Sequence, residues 1–255
     1  MKRFLILILS VLVAVAASYY IFNYKLKLPY MEKIVFKTTD NKSIHANLFR
    51  AENPKGWLLF IHMMPADRES WNEFAEEAQN VGYESLAIDL RGHGESDSGP
   101  NGYLNFSDAE HQASIADLEA GWEFLQSRGA VADKTTVIGA SIGANLSLQF
   151  LTQHPEISGG VLLSPGNYKG IDSALLVKKL AGNQKIIFAA SRKDDMVTGN
   201  NAEQNQQYYN LATQVKNRHL ILFDGVGHGT GLFKLKTEYD LSKATINFLN
   251  NGFIN

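Results

Sequence analysis

The chain has 255 residues, 45% of them hydrophobic and 20% charged, with a formal net charge of −2. This composition is typical of a globular protein with a large core, and the length allows one large α/β domain or two small domains. The sequence contains no cysteine, which excludes disulfides, thiol catalysis and cysteine-ligated metals. The near-neutral charge gives no reason to expect nucleic acid as a partner.

The first residues predict export. Lys2 and Arg3 precede an uncharged, apolar run over residues 4–22, and this order is typical of a signal peptide or a signal anchor. The small residues Ala14-Val15-Ala16 favour cleavage, whereas a run just long enough to cross a bilayer favours a retained membrane anchor. With either alternative for residues 1–22, the remainder of the chain is expected on the far side of a membrane.

The next segment predicts a linker followed by the start of a sheet. Residues 23–33 are polar and basic, so the globular domain is expected over residues 34–255. Alternating stretches at residues 34–38 and 44–49 predict an antiparallel hairpin at one sheet edge. The continuous apolar run over residues 56–62 is typical of a strand buried on both faces.

Two Ser-x-x-Glu sequences predict helix starts by reciprocal capping, Ser70 with Glu73 and Ser107 with Glu110. Because strands and helices alternate from there on, the pattern predicts a mostly parallel sheet of about eight strands with helices on both faces. One short helical pattern within residues 165–183 is the only candidate for a cap over the sheet edge. Further strands are predicted over residues 85–90, 135–141, 158–163, 185–190 and 219–223, and further helices over 144–154, 201–211 and 238–249.

A Gly-x-Ser-x-Gly sequence at residues 139–143 joins an apolar, β-branched strand to a helix. In that context the glycines keep a tight turn free of clashes, and the hydroxyl of Ser141 projects from the sheet edge. The backbone N–H of Ile142 would lie at a helix N-terminus, where negative charge is stabilised. Taken alone, the motif could also be a chance match in a glycine-containing turn.

A serine hydroxyl needs a base within hydrogen-bond reach, and the base needs an orienting acid. Both residue types occur in loops that follow predicted strands. Asp194 and Asp195 follow residues 185–190, and His228 follows residues 219–223 in a glycine-rich loop that the backbone can bend tightly. The order Ser, Asp, His is one of the known triad orders.

With these motifs the chain resembles the α/β-hydrolase-fold serine hydrolases over about residues 34–250. The resemblance also rests on Arg-Gly-His-Gly-Glu-Ser at residues 91–96 and on an apolar strand ending in His62. It implies Ser141 as nucleophile, Asp194 as acid and His228 as base. The spacing from Asp194 to Val197 favours Asp194 over Asp195.

The resemblance further implies an oxyanion hole made by the backbone N–H groups of Ile142 and Met64. Many relatives have glycine after the histidine of this loop, where this chain has Met63. A backbone donor tolerates any side chain, but a different loop path would affect Met64 more than Ile142.

The remaining candidate residues are expected to have structural roles. His62 is expected to pack in a turn, and His93 and Asp224 are expected to be structural. The two histidines lack the Asp/His spacing of a two-metal hydrolase, and the chain has no glycine-rich phosphate loop, so neither a metal nor a cofactor is expected.

The function expected from these features is hydrolysis of small-molecule carboxylic esters through an acyl-enzyme. Small acyl groups are expected because residues 165–183 are too short to roof a long acyl channel. A peptidase or amidase and a thioesterase are alternatives on the same triad. A non-catalytic binding protein that retains the fold is the alternative from another class.

Overall fold

The computed structural model describes residues 13, 15, 31–235, 237 and 239–251. The predicted export segment therefore lies outside the described residues, apart from Val13 and Val15. Within the described part of the chain, no helix combines the length and the apolar character that crossing a membrane requires.

The described residues form an eight-stranded sheet with the order β1-β2-β4-β3-β5-β6-β7-β10. The β1–β2 and β2–β4 pairs are antiparallel, and all the other pairs are parallel. The α/β, mostly parallel architecture predicted from the sequence is confirmed. The strands are β1 Met31–Lys37, β2 Ser43–Phe49, β3 Gly56–Ile61, β4 Tyr83–Ile88, β5 Thr135–Ala140, β6 Gly159–Leu163, β7 Lys185–Ser191 and β10 Asn217–Phe223, with the two-residue strands β8 Asp195–Met196 and β9 Gly199–Asn200 paired separately.

Helices cover both faces of the sheet. One face packs against α3 to α6 and the other against α1 and α7. The helices are α1 Asn72–Asn80, α2 Asp108–Ala113, α3 Ile115–Ser127, α4 Ile142–Gln153, α5 Ser173–Leu176, α6 Asn201–Leu211 and α7 Leu241–Asn251.

The central strand β3 shows how the sequence produces these layers. Successive side chains of a strand point to opposite faces, and those of β3 enter the two cores in turn. Leu59 and Ile61 join the cluster beneath α3 and α4, whereas Leu58 and Phe60 join the cluster beneath α1 and α7. Each such side chain, once buried, contributes about 1.5–3 kcal/mol, which explains why the run is apolar without interruption.

Three local predictions are corrected. The strand predicted over residues 34–38 begins earlier, because β1 spans Met31–Lys37. Ser70 does not cap α1: Asp67 caps a short 3₁₀ turn at Arg68–Trp71, and α1 begins after it at Asn72 without a side-chain cap. The helix predicted after Ser107 starts with the expected capping box, but it divides at Ser114 into α2 and α3.

The segment between β6 and β7 contains one four-residue helix, α5, and a 3₁₀ turn at Val177–Lys179. Val177 and Leu180 are buried in the core beneath α4 and α6. Little of this segment is therefore left to cover the carboxyl edge of the sheet.

Candidate active site

Ser141 occupies a strained turn between β5 and α4. Its backbone angles are φ 54° and ψ −118°, a region that costs a non-glycine residue on the order of 1–3 kcal/mol. The glycines around it permit close contacts: a Cβ at Gly143 would lie 2.4 Å from the Ile61 carbonyl oxygen, and one at Gly139 would lie 2.3 Å from that of Gly143. The motif therefore requires glycine at both positions, and the turn holds Ser141 at the end of the strand.

Ile142 supplies the first N–H of α4. The first hydrogen bonds of the helix run from the N–H groups of Ala144 and Asn145 to the carbonyl of Ser141, at 2.9 and 3.1 Å. Ile142 N–H lies ahead of them, among the helix N-terminal donors that have no partner within the helix. This position suits a donor to a developing oxyanion.

His62 orients the peptide that carries the N–H of Met64. Its ring is fully buried and its Nε2 accepts the N–H of Leu90 at 3.0 Å, so its Nδ1 carries the proton and donates to the carbonyl of Met63 at 2.9 Å. Burial lowers the pKa of His62, which keeps the ring neutral. Because the two ends of a trans peptide point in opposite directions, the N–H of Met64 points away from the His62 ring.

The residues expected as acid and base, Asp194 and His228, are in contact. Asp194 Oδ2 lies 2.7 Å from His228 Nδ1, and Asp194 is buried. Asp195 is exposed and accepts a hydrogen bond from Asn200 Nδ2 at 2.7 Å instead. Since Asp194 binds Nδ1, Nε2 is the ring nitrogen of His228 that remains for proton transfer. Of the two carboxylates, Asp194 is the one placed to orient the base.

The loop that carries His228 lies directly over the serine turn. Gly229, the next residue, has φ +54°, and a Cβ there would lie 3.2 Å from Ala140 Cβ and 2.5 Å from Met63 Sδ. The loop thus contacts both the residue before Ser141 and the loop of Met64. The His228 side chain is 24% exposed, so its ring is open to an incoming molecule.

Tyr168 forms a wall beside the base that the sequence did not reveal. Its ring meets that of His228 edge to face, with the centroids 6.2 Å apart. Its hydroxyl accepts a hydrogen bond from Asn201 Nδ2 at 2.9 Å, and burial raises the pKa of Tyr168, so the hydroxyl stays protonated. Asn201 also donates its backbone N–H to the carbonyl of Asp194 at 2.8 Å, which links this wall to the acid loop.

The Arg91–Ser96 motif joins loops together. Arg91 bonds Asp117 and Asp40, and its Nε lies 2.9 Å from Asp117 Oδ1. His93 is buried between the rings of His62 and Tyr103.

Asp224 is exposed and pairs with Arg192 at 3.3 Å. Among the described residues, no group of three or more acidic, histidine or cysteine side chains could hold a metal ion.

The sheet order, the serine turn after β5 and the Asp–His contact at the carboxyl edge together define the α/β-hydrolase class. Within that class, the family model described as serine aminopeptidase, S33, matches residues 52–210. This is more than half of the chain, and the chain belongs to that family of hydrolases. The matched range includes Ser141 and Asp194 and ends before His228.

Solved structures show the same fold. An esterase from Pyrococcus furiosus is 22% identical, with a TM-score of 0.69 over 88% of this chain and 91% of the other. A thermostable carboxyl esterase from Bacillus coagulans is 12% identical, with a TM-score of 0.70 over 89% and 100% of the two chains. A bacterial membrane phospholipase A is 15% identical, with a TM-score of 0.63 over 98% of each chain. A search of curated sequences found no significant match.

Proposed function

We propose that the protein is a serine hydrolase that cleaves carboxylic esters through an acyl-enzyme formed on Ser141. The observation that carries this proposal is the 2.7 Å contact between Asp194 and His228, in a loop packed on the turn of Ser141. A buried carboxylate on one ring nitrogen, with the other nitrogen open, is the arrangement that a general base requires.

In the proposed reaction these groups act in turn. His228 Nε2 takes the hydroxyl proton while Ser141 Oγ attacks the ester carbonyl, and Ile142 N–H and Met64 N–H receive the oxyanion. The C–O bond of the ester then breaks, and His228 returns the proton to the departing alcohol. Water, deprotonated by the same ring, then attacks the acyl-enzyme. The bond from the acyl carbon to Ser141 Oγ breaks, His228 returns the proton to Ser141 Oγ, and the acid leaves.

The acyl group is proposed to be small. Each CH₂ held in an apolar channel would add about 0.8 kcal/mol of binding. The segment between β6 and β7 offers only α5 and a 3₁₀ turn, with Val177 and Leu180 directed into the core. With so little chain above the edge, the gain from a longer acyl group is expected to stop after a few carbons.

Labelling with a fluorophosphonate and hydrolysis of a p-nitrophenyl ester series test the proposal together. We expect stoichiometric labelling of the wild type, none of Ser141→Ala, and a kcat for this variant lower by about 10⁴ or more. Unchanged labelling and hydrolysis in Ser141→Ala would refute the nucleophile. A kcat/KM that rises steadily from two to twelve acyl carbons would refute the short-acyl substrate.

Peptide bond hydrolysis is the second candidate, because the matching family is described as serine aminopeptidase. Because the same triad can hydrolyse amides and esters, the two functions are distinguished by comparing kcat/KM on both kinds of substrate. An aminoacyl-p-nitroanilide and a thioester belong in the same series. A kcat/KM for the anilide above that of every ester would assign the protein to the peptidases, and complete inactivity with unlabelled Ser141 would favour a binding protein.

The protein is further proposed to act outside the cytoplasm, exported or anchored through residues 1–22. This rests on the basic start and the apolar run over residues 4–22. Cell fractionation tests it: full-length protein found only in the cytosolic fraction would refute the proposal. A shorter mature chain in the exported fraction would identify a cleaved signal peptide, and full-length protein in membranes would identify the anchor.

A further inference from the structure

Two buried serines share a positive φ at this edge of the sheet. Among the described residues, the non-glycine residues with positive φ are Asn41, Asn53, Ser98, Ser141, Ser164 and Lys169. Of these, Ser141 and Ser164 are buried. Ser164 has φ 53°, which a residue with a side chain adopts only when its surroundings hold it there. The contacts of the Ser164 side chain and backbone show what holds this conformation.

Ser164 joins the three strands whose ends form the site. It follows β6 directly, and its N–H donates to the Ala189 carbonyl of β7 at 2.7 Å. The preceding residue, Leu163, accepts the N–H of Ser141 at 2.8 Å. The Ser164 hydroxyl oxygen accepts the N–H of Gly229 at 3.0 Å. Ser164 is thus tied to the nucleophile's turn, to the acid-bearing strand and to the residue after the base.

We infer that Ser164 is a positioning residue that fixes the height of His228 over Ser141. The inference rests on the proposed function, because it concerns the transfer of a proton between those two residues. Asp194 holds Nδ1 of the base, so the place of the ring also depends on the backbone from which it extends. The bond from Gly229 N–H to Ser164 Oγ holds the backbone next to His228 against the end of β6.

The choice of serine supports this role. Glycine would adopt φ 53° without strain but has no hydroxyl, whereas alanine would keep the strain and also lose the acceptor. Both replacements leave the buried N–H of Gly229 without its partner. A purely conformational requirement at this position would be met best by glycine, so serine is explained by its oxygen.

The test compares Ser164→Gly and Ser164→Ala with Ser173→Ala. Ser173 is another fully buried serine, which lies at the start of α5 and whose hydroxyl donates to the carbonyl of Gly166 at 2.8 Å. Steady-state kinetics on a short p-nitrophenyl ester would be normalised to the sites that react with a fluorophosphonate. Because misplacement by about 1 Å costs on the order of 100-fold in rate, we expect kcat to fall 10- to 100-fold in both Ser164 variants with KM unchanged, and to stay within twofold in Ser173→Ala.

The outcomes separate this inference from the proposed function. If Ser141→Ala is inactive but Ser164→Gly retains the wild-type kcat, Ser164 has no positioning role and the inference is overturned. The same follows if the Ser164 variants lose only thermal stability, with a normal kcat per reactive site. If Ser141→Ala remains active, the proposed function itself fails. A slower fluorophosphonate reaction of Ser164→Gly at unchanged Tm supports the inference, because labelling depends on the base.

Discussion

The tripeptide Gly-His-Gly occurs twice in this chain, around His93 and around His228, with opposite results. The ring of His93 is buried, stacks on Tyr103 at a centroid distance of 4.2 Å, and lies with its Nδ1 3.1 Å from the carbonyl oxygen of Ala66. The ring of His228 is partly exposed and has the carboxylate of Asp194 on Nδ1. One tripeptide closes a loop, and the other presents a ring to solvent.

The difference lies in the partners rather than in the local sequence. Burial lowers the pKa of His93 to about 3, with a smaller contribution from the neighbouring His62. A ring that stays neutral and is enclosed by other rings can neither bind a substrate nor exchange protons with it. A ring with a carboxylate on one nitrogen and space at the other can do both. The role of a histidine is thus decided by what each nitrogen faces.

Replacing each of the two histidines by alanine is expected to give the largest contrast, in kcat for one variant and in the free energy of unfolding for the other. His228→Ala removes the base, and kcat for ester hydrolysis should fall by about 10⁴ with little change in the free energy of unfolding. His93→Ala should do the reverse, lowering the free energy of unfolding by about 2–3 kcal/mol because a packed ring is lost, with kcat per folded molecule within about threefold.

Urea unfolding and steady-state kinetics on both variants measure this contrast. A large loss of kcat in His93→Ala at full folding would place that ring in the catalytic machinery and contradict the prediction. So would wild-type activity in His228→Ala.

Replacing the proposed acid, Asp194, is expected to have a smaller effect on kcat, and the neighbouring Asp195 provides the control. Asp194→Asn should lower kcat by about 10³–10⁴, because the amide no longer stabilises the charged ring and holds it in the wrong tautomer. Asp195→Asn, one residue further and exposed, should leave kcat within twofold. Equal losses in the two variants, measured on the same ester, would show that the loop as a whole matters rather than the 2.7 Å contact.

His154 gives the smallest effect and extends the comparison to a ring with carboxylates on both nitrogens. Burial disfavours its charge, but hydrogen bonds to Glu119 and Glu156, each 3.0 Å long, outweigh burial and raise the pKa of His154. A raised pKa in the folded state stabilises the protein fully below the free histidine value of about 6.5, and the contribution is lost as the pH rises through the folded pKa.

His154→Gln should therefore lower the free energy of unfolding more at pH 5.5 than at pH 8.5, by less than about 1 kcal/mol for a partly exposed cluster. Urea unfolding at the two pH values measures the difference. An effect that grows with pH would show that the ring is neutral in the folded protein.

The sequence was enough to predict which residues of the candidate site lie together at strand ends. Ser141, Asp194 and His228 each follow an apolar strand of a parallel sheet, and the carboxyl ends of such strands meet at one edge. Ser164 follows β6 in the same way, so this rule could have selected it, but nothing local indicated its bond to a residue 65 positions away. Tyr168 could not be found, because its contact with His228 depends on how two loops fold over the edge.

Local capping was predicted less well where two signals competed. Ser70 and Glu73 match a capping box, yet Asp67 lies three residues earlier and accepts the N–H of Glu69 at 2.9 Å. That bond starts a 3₁₀ turn, which places Ser70 inside a helical segment rather than before it. Ser107 has no such competitor and forms its box with Glu110 as predicted.

The antiparallel first hairpin determines from which side the chain joins the sheet. Through the register of β1, β2, β4, β3 and β5, Met31 lies level with Thr136, five residues before Ser141. At about 3.3 Å per residue, this places Met31 about 17 Å below the serine along the strand direction. Met31 therefore lies towards the edge of the sheet opposite the one that carries Ser141. If the residues before Met31 are attached to a solid support, a fusion partner or a bilayer, the chain enters the domain from that opposite edge, and the edge with Ser141 is left free for molecules in solution.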